Sequence, residues 1–310
     1  MSSSGRLSRR TVLAGLTAGG ALCALAPASF GQSAGLLTRA IPSSGERIPV
    51  VGLGTWVTFN VGRDPAALDR SAEIMRVFFQ QGGTLIDSSP MYGSAQNTIG
   101  YGLKKLGRGD DGVFSADKVW TSAAARGPAQ IEESRRNWTM PRFDLLQVHN
   151  LRAWEAHLNT LFGMKAAGRV RYVGITTSDG RAHGEFIRVM RTQPLDFIQV
   201  TCNALDHEVE RTILPLAQDR GMAVIINRPY RHSQLIDLVQ RHPLPGWAAE
   251  AGAKNWPEFL LKYIVSHPAV TCAIPATSQV EHVRENMGAA YGLLPGAAMR
   301  RRMAAHVEAL

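Results

Sequence analysis

Residues 143–177 read FDLLQVHNLRAWEAHLNTLFGMKAAGRVRYVGITT, and this stretch indicates how the chain is built. Its two apolar runs, 143–149 and 170–176, are short enough for buried strands, and the residues between them repeat with the period of a helix. A continuous apolar run, unlike an alternating one, is typical of a strand that is covered on both faces. The stretch therefore predicts two parallel strands joined by a helix.

The same alternation continues along the chain. The apolar runs predict eight strands, at 48–54, 83–88, 118–123, 143–149, 170–176, 196–203, 222–228 and 270–277. Helices are predicted near 66–80, 94–106, 128–138, 154–167, 182–192, 208–220, 256–266 and 279–291. Eight such units without a break in composition favour a closed (β/α)8 TIM barrel over 48–310, preceded by a segment at 29–47. The barrel carries a long insertion at 232–255 and ends in a C-terminal helical tail.

A doubly wound open sheet is the alternative architecture. Proteins of that class bind dinucleotides through the pattern G-x-G-x-x-G directly after a strand. Here Gly52 and Gly54 supply the first two glycines and the third is missing. The barrel is therefore favoured, and in a barrel the functional side chains stand at the carboxyl ends of the strands.

Composition narrows the classes of function. The chain has 310 residues, of which 45% are hydrophobic and 19% charged, as in an ordinary globular protein. Its three cysteines are too few for a disulfide framework or a zinc knuckle, so no metal site is predicted. The net charge of +9 comes without a run of lysine and arginine, which argues against a nucleic-acid partner.

Residues 1–28 have the pattern of an export signal. A basic, polar start precedes an apolar stretch at 11–26, and the sequence APA at 26–28 offers a small-x-small cleavage site. The run SRRTVL at 8–13 resembles a twin-arginine signal. Because the apolar stretch is shorter than the roughly 20 residues of a membrane span, no stable membrane anchor is predicted. We expect a periplasmic protein that uses the twin-arginine export machinery as a partner.

Three titratable side chains are predicted to converge at one end of the barrel. Asp87 and Tyr92 follow the second predicted strand, and His149 ends the fourth. A tyrosine with an ordinary pKa of about 10 is a poor acid at neutral pH, so a neighbouring charge or histidine must assist its proton transfer. The three residues together suggest proton transfer at a carbonyl or hydroxyl oxygen.

Five stretches, in their order and spacing, resemble the aldo-keto reductase superfamily over about 40–290. They are IPVVGLGTW, GGTLIDSSPMYG, FDLLQVHN, GRVRYVGITT and IPATSQVEHVRENM. The resemblance implies a (β/α)8 barrel that binds a nicotinamide dinucleotide and reduces aldehydes and ketones. It implies that Tyr92 donates a proton to the carbonyl oxygen, that His149 orients the substrate, and that Asp87 completes the matched catalytic residues.

The resemblance also implies a lysine at the end of the third strand, and the sequence is interpreted as lacking it. With that strand at 118–123, Lys118 begins the strand and Ala123, or its neighbour, stands where the lysine belongs. At about 3.3 Å per residue, Lys118 would lie about 16 Å from the site. Arg126 and Arg228 are imperfect replacements, since a guanidinium is a planar fork rather than a compact ammonium. We therefore expect a degenerate catalytic tetrad, a high tyrosine pKa, and weak or altered reductase chemistry.

The resemblance further implies a set of cofactor-binding positions. These are Gly54, Thr55, Thr176, Thr177, Gln199, Asn227, Arg228, Thr277, His282 and Asn286. Asn227 replaces the aromatic residue that stacks on nicotinamide, although Tyr230 would stack if its loop turned inward. In the 2′-phosphate motif, Ala276 and His282 replace two cations, which weakens any preference for NADP over NAD. The expected cofactor is NADP(H) or NAD(H), exported already bound.

The leading hypothesis is an exported NAD(P)(H)-dependent oxidoreductase that acts on a small-molecule carbonyl or alcohol substrate. Two alternatives would account for the missing lysine. One is a non-redox barrel enzyme, a lyase or isomerase, that uses Tyr92 and His149 as acid and base. The other is a non-catalytic binding protein on the same fold.

Overall fold

The computed structural model describes residues 35–109 and 112–310, so the signal predicted at 1–28 lies outside the described residues. The strands are β1 (Thr38–Ala40), β2 (Arg47–Pro49), β3 (Leu53–Gly54), β4 (Leu85–Asp87), β5 (Phe114–Val119), β6 (Phe143–Val148), β7 (Val170–Thr176), β8 (Phe197–Thr201), β9 (Ala223–Asn227) and β10 (Cys272–Ala273). The α-helices are α1 (Pro65–Gln80), α2 (Ala95–Lys105), α3 (Gly127–Trp138), α4 (Trp154–Ala166), α5 (His183–Thr192), α6 (Ile213–Asp219), α7 (Gln234–Val239), α8 (Trp256–Val265), α9 (Val280–Gly288) and α10 (Ala297–Glu308). Short 3-10 helices occupy Ala124–Arg126, His149–Leu151, Glu208–Arg211 and Ala248–Ala251.

The strands from β3 to β10 form one parallel sheet in chain order. This sheet closes on itself, because Val51 bridges Ala273 and Gly54 bridges Ala276, both in parallel. The amide of Gly54 also donates to the carbonyl of Pro275 at 3.0 Å across the same seam. The predicted (β/α)8 barrel is confirmed.

The barrel interior is filled with apolar side chains except at its carboxyl end. The interior cluster consists of Ile41, Ile48, Leu85, Phe114, Ala116, Leu145, Tyr172, Phe197, Ala223, Ile225, Cys272 and Ile274. Ile41 and Ile48 come from the hairpin in which β1 pairs with β2 in antiparallel fashion. Both side chains are fully buried, so the hairpin closes the amino end of the barrel and leaves the carboxyl end for function.

The third barrel strand begins four residues earlier than predicted, at Phe114 instead of at residue 118. The predicted strand begins at Lys118 and leaves out Asp117, and charged side chains are rarely buried unless they are paired. Both are fully buried here. Asp117 points outward and accepts a hydrogen bond from Gln96 of α2 at 2.8 Å, and burial raises its pKa to about 7. Lys118 points into the barrel.

The predicted insertion and the C-terminal tail both contain helices. The insertion holds α7 and the short helix Ala248–Ala251, and the tail is α10. Arg300 of α10 donates to Glu210 at 2.5 Å and to the carbonyl of Tyr263 at 2.9 Å, which ties the tail to the barrel. Among the described residues, no helix combines the length and the apolar character needed to cross a membrane.

The closure of the barrel depends on close backbone approach at Gly54. A Cβ at this position would lie 2.6 Å from the carbonyl oxygen of Ile274. We predict that Gly54→Ala lowers the free energy of unfolding by about 1–3 kcal/mol, the usual cost of overpacking, as measured by urea denaturation. Gly163→Ala in α4 is the control, since a Cβ there meets nothing within 4 Å. Equal stability of the two variants would contradict the tight seam.

Candidate active site

Four polar side chains meet at the carboxyl end of the barrel. Asp87 ends β4, Tyr92 lies in the loop after it, Lys118 stands near the end of β5, and His149 follows β6 directly. The exposed fractions of Asp87, Lys118 and His149 are 2%, 0% and 6%, whereas Tyr92 is half-buried. The structure thus brings together the three residues predicted from the strand ends and adds a lysine.

Lys118 is bonded to Asp87, so the expectation of a missing lysine is wrong. Its ammonium donates to Asp87 Oδ2 at 2.5 Å and to the carbonyl of Ser88 at 2.8 Å, and it lies 5.3 Å from the centre of the Tyr92 ring. The error came from the predicted strand boundary. Because β5 begins at Phe114, Lys118 is its fifth residue and lies at the carboxyl end, not at the opposite end of the barrel.

Both the side chain and the backbone carbonyl of Asp87 accept hydrogen bonds. In addition to Lys118, the amide of Gln199 donates to its Oδ1 at 2.8 Å, and the Thr55 hydroxyl donates to its carbonyl at 2.9 Å. The arginines considered as replacements for the lysine lie elsewhere: Arg126 is exposed on a short helix, and Arg228 forms an ion pair with Asp179. The counter-charge of Asp87 is therefore Lys118.

The ion pair sets the protonation of its neighbours. Burial lowers the pKa of Lys118, but the charge and the hydrogen bond of Asp87 raise it, so that the pKa lies above its ordinary value and the ammonium persists. Burial raises the pKa of Tyr92, and the charge of Lys118 opposes that rise. The tyrosine pKa is thus high, as expected, but because of burial and not because a cation is missing. Tyr92 carries its proton at neutral pH.

His149 is uncharged at neutral pH. Burial lowers its pKa to about 2, and the charges of Lys118 and Arg152 contribute in the same direction. Its Nδ1 lies 2.8 Å from the hydroxyl oxygen of Ser89, and its ring stands nearly perpendicular to that of Tyr92, with 5.9 Å between the ring centres. A neutral imidazole in this place can donate one hydrogen bond, but it does not titrate as an acid or base near pH 7.

Asp87, Tyr92 and His149 face a cavity of about 270 Å³, and Lys118 lies behind its wall. The predicted cofactor residues that line it are Gly54, Thr55, Thr176, Gln199, Asn227 and Arg228. Thr177 is buried beside the cavity without lining it, and its hydroxyl donates to the carbonyl of Arg181 at 2.6 Å. Thr277, His282 and Asn286 lie in or just before α9, away from the lining of this cavity. The structure therefore groups most of the predicted cofactor residues with Tyr92.

Polar groups along one wall of the cavity are already oriented. The Asn227 amide donates to the carbonyl of Thr177 at 3.0 Å, and its oxygen accepts from Thr201 at 2.6 Å. The Thr176 hydroxyl oxygen accepts from the amide of Asn150 at 3.1 Å, and it donates to no group in the described residues. These fixed amides and this hydroxyl proton are suited to a ligand that carries an amide of its own.

Tyr230 and Asn286 connect the cavity to the carboxyl half of α9. Tyr230 lines the cavity, and its hydroxyl donates to Asn286 at 2.5 Å. Just before the helix, the Thr277 oxygen lies 3.4 Å from His282 Nδ1 and accepts from the amide of Gln279 at 3.1 Å. The loop after β9 is thus bound to α9, and Tyr230 does point toward the cavity.

A second and larger cavity, of about 710 Å³, adjoins the first and shares Arg228 and His232 with it. Trp56 stands at this boundary, with its ring centre 4.6 Å from that of His232 and 5.8 Å from the Arg228 guanidinium. In residues 35–109 and 112–310, no group of three or more metal-ligating side chains could hold a metal ion.

Sequence reasoning missed Lys118 and Ser89 in particular. Lys118 had a usable signal: Phe114, Ala116 and Lys118 alternate in β5, so all three face the interior. Ser89 had none, because the 60 residues that separate it from His149 say nothing about their contact.

Comparison with known proteins agrees with this geometry. The model of the aldo/keto reductase family matches residues 50–301. Methylglyoxal reductase YeaE of Escherichia coli is 26% identical over 246 residues, which are 77% of this chain and 84% of the relative. L-Galactose dehydrogenase of Arabidopsis thaliana is 24% identical, over 88% of this chain and 93% of its own length. A solved aldo-keto reductase from Klebsiella pneumoniae in complex with NADPH has a TM-score of 0.74 at 22% identity, covering 88% of this chain and 96% of that chain. The family resemblance of the sequence motifs is confirmed.

The buried ion pair has a testable energetic signature. We predict that Lys118→Met lowers the free energy of unfolding by about 3–5 kcal/mol, because it leaves the Asp87 carboxylate buried without a counter-charge. The double variant Lys118→Met/Asp87→Asn should recover most of this loss, since it removes both charges. Urea denaturation of the three proteins measures the effect. A single variant as stable as the unsubstituted protein would show that the two side chains do not depend on each other.

Proposed function

Because the chain belongs to the aldo/keto reductase family, we propose that it reduces an aldehyde or ketone with NADPH or NADH, or oxidises the alcohol in the reverse direction. The observation that carries this proposal is the contact of Lys118 with Asp87 below the half-buried Tyr92. It supplies the fourth member of the catalytic set that the sequence was interpreted as lacking.

In the proposed reaction, Tyr92 is the proton donor. A reduced nicotinamide, when bound, would supply the hydride for the carbonyl carbon. As negative charge develops on the substrate oxygen, the Tyr92 hydroxyl gives that oxygen its proton. The phenolate that remains is stabilised by the Lys118 ammonium, whose raised pKa keeps it charged. In the reverse direction the tyrosinate accepts the proton of the alcohol.

His149 orients the substrate instead of exchanging a proton with it. Its lowered pKa keeps the ring neutral, so that it donates a hydrogen bond to the substrate oxygen without carrying a charge. The substrate oxygen would thereby be bound between two donors, Tyr92 and His149, which fixes the position of the carbonyl carbon. Such positioning of reactants is a large part of enzymatic rate enhancement.

The residues present fit a nicotinamide dinucleotide. Thr176, Gln199 and Asn227 face the cavity with amide and hydroxyl groups that would pair with the carboxamide. Arg228 would meet a phosphate, and the amino end of α9 offers backbone amides to a second one. His282 is exposed at that end, where it replaces one of the two cations that the resemblance implies. We propose NADP(H) or NAD(H), with no strong selection by a 2′-phosphate.

The relatives narrow the choice of probe substrates. One is named for the reduction of methylglyoxal and another for the oxidation of L-galactose. Both reactions interconvert a small carbonyl compound and an alcohol. We propose that this chain acts on a small molecule of the same kind, and methylglyoxal is the first probe.

The two alternatives, a non-redox enzyme and a binding protein, rested on a missing lysine, and Lys118 is bonded to Asp87. A lyase or isomerase with His149 as its acid or base would need that histidine to titrate near neutral pH, and burial prevents this. The contact of Lys118 with Asp87 next to Tyr92 favours an enzyme over a binding protein. Weak or altered chemistry was expected for the same reason and is not part of the proposal.

We also propose export by the twin-arginine route, as the run SRRTVL in the first 28 residues suggests. This route carries folded proteins, and the periplasm does not replenish nicotinamide cofactors. Export with the cofactor already bound would meet both conditions.

The reductase proposal is tested by binding and turnover together. We expect the signal-free protein to bind NADPH or NADH more tightly than about 10 μM, equivalent to about −7 kcal/mol, in a titration of tryptophan fluorescence. We expect Tyr92→Phe to keep this affinity and to lose at least about 100-fold in turnover of methylglyoxal, because general acid catalysis contributes that much. Absence of binding up to millimolar nucleotide would refute the proposal.

The export proposal predicts the composition of the purified protein. Material isolated from the periplasm should release nicotinamide nucleotide on heating, in nearly equimolar amount, as measured by absorbance and enzymatic cycling. Arg9→Lys/Arg10→Lys should keep the protein out of the periplasm. Periplasmic protein that releases no nucleotide would contradict export in the loaded state.

A further inference from the structure

Ser89 connects the two residues that would contact the substrate oxygen. It is fully buried in the turn between Asp87 and Tyr92. Its carbonyl accepts the amide of Tyr92 at 3.0 Å, and its hydroxyl oxygen lies 2.8 Å from His149 Nδ1. The side chain of Ser89 thus contacts His149, and the backbone of Ser89 holds the loop that carries Tyr92.

The direction of the bond between Ser89 and His149 follows from the other partner of the hydroxyl. The amide of Met91 donates to Ser89 Oγ at 3.2 Å, which occupies one lone pair of the oxygen. A hydroxyl has one proton to donate, and in the described residues the only acceptor within reach of it is Nδ1 of the histidine. If Nδ1 carried a hydrogen, the hydroxyl would accept two bonds and its own proton would be buried without a partner, which is costly.

We propose that Ser89 is a positioning residue that fixes His149 in the tautomer with its proton on Nε2. Neutral imidazole has one N–H, and the hydrogen bond at one nitrogen decides which nitrogen carries it. With Nδ1 held as an acceptor, Nε2–H is the donor that remains for the substrate oxygen. Only the kinetic consequence of this assignment rests on the proposed reductase function.

The first measurement determines the tautomer directly, without turnover. Protein labelled with ¹⁵N-histidine gives long-range ¹H–¹⁵N correlations that distinguish protonated from unprotonated ring nitrogens, and His149→Gln identifies the signals of that ring. We expect unprotonated Nδ1 and protonated Nε2 in the unsubstituted protein. A hydrogen on Nδ1 would overturn the assignment, whatever the activity of the protein.

The second measurement removes the hydroxyl. In Ser89→Ala we expect the two ring nitrogens to shift toward a mixture of tautomers, and kcat/KM for methylglyoxal with NADPH to fall about 5-fold, the typical worth of one hydrogen bond. The Kd for NADPH should be unchanged, since Ser89 does not line the cavity. Ser89→Thr keeps the hydroxyl and should restore the tautomer. An unchanged tautomer in Ser89→Ala would refute the role of Ser89.

Ser88→Ala is the matched control. Ser88 is equally buried in the same turn, and its hydroxyl makes no hydrogen bond in the described residues. Loss of this hydroxyl should leave the His149 tautomer as it is. If Ser88→Ala and Ser89→Ala shift the tautomer equally, the cause is a loosened turn and the proposal is wrong. Should the unsubstituted protein bind neither NADPH nor NADH, the reductase proposal fails, and the spectra still decide the tautomer of His149.

Discussion

The rest of the site depends on the burial of one ammonium group against one carboxylate. Lys118 and Asp87 are both almost completely removed from solvent, on neighbouring strands of the barrel. Asp87 is also bonded by Gln199 from across the interior, so that strands at opposite sides of the barrel share one charge network. Tyr92 and His149 lie around this pair, and the environment of each is set by it.

A buried ion pair is a poor way to stabilise a fold, because desolvation of the two charges offsets most of their attraction. Its presence here is better explained by what it does to its neighbours. The same ammonium that opposes the rise in the pKa of Tyr92 also helps to lower the pKa of His149. Burial keeps Tyr92 a protonated phenol despite the ammonium, and burial and the ammonium together keep His149 a neutral imidazole. Groups that share one site and differ in protonation are the usual basis for assigning acid and orienting roles.

The apolar side chains that stabilise the barrel and the polar side chains of the candidate site lie at different positions along the barrel axis. At the amino end, the hairpin seals the interior with Ile41 and Ile48, and the middle is packed with aromatic and aliphatic side chains. At the carboxyl end, polar side chains replace apolar ones at the inward positions of β5, β8 and β9. The polar groups are oriented by their neighbours before any ligand binds. Such preorganisation lowers the cost of arranging dipoles during a reaction.

The eight strand–helix units, and with them a closed parallel barrel, are predictable from the sequence alone, because apolar runs and helical periods are local properties of the chain. The sequence also identified Asp87, Tyr92 and His149, since their positions at strand ends follow from the same pattern. The position of Lys118 follows only from the folded barrel. The start of β5 depends on whether two charged residues can be buried, and that depends on Asp87 and Gln96, which come from other elements. The contact of Ser89 with His149 also depends on residues from separate elements. The same is true of Asn286, which lies outside the lining of the cavity. Hydrogen bonds between distant segments depend on how the strands close into a barrel. A local sequence pattern contains no information about which distant residues that closure brings together.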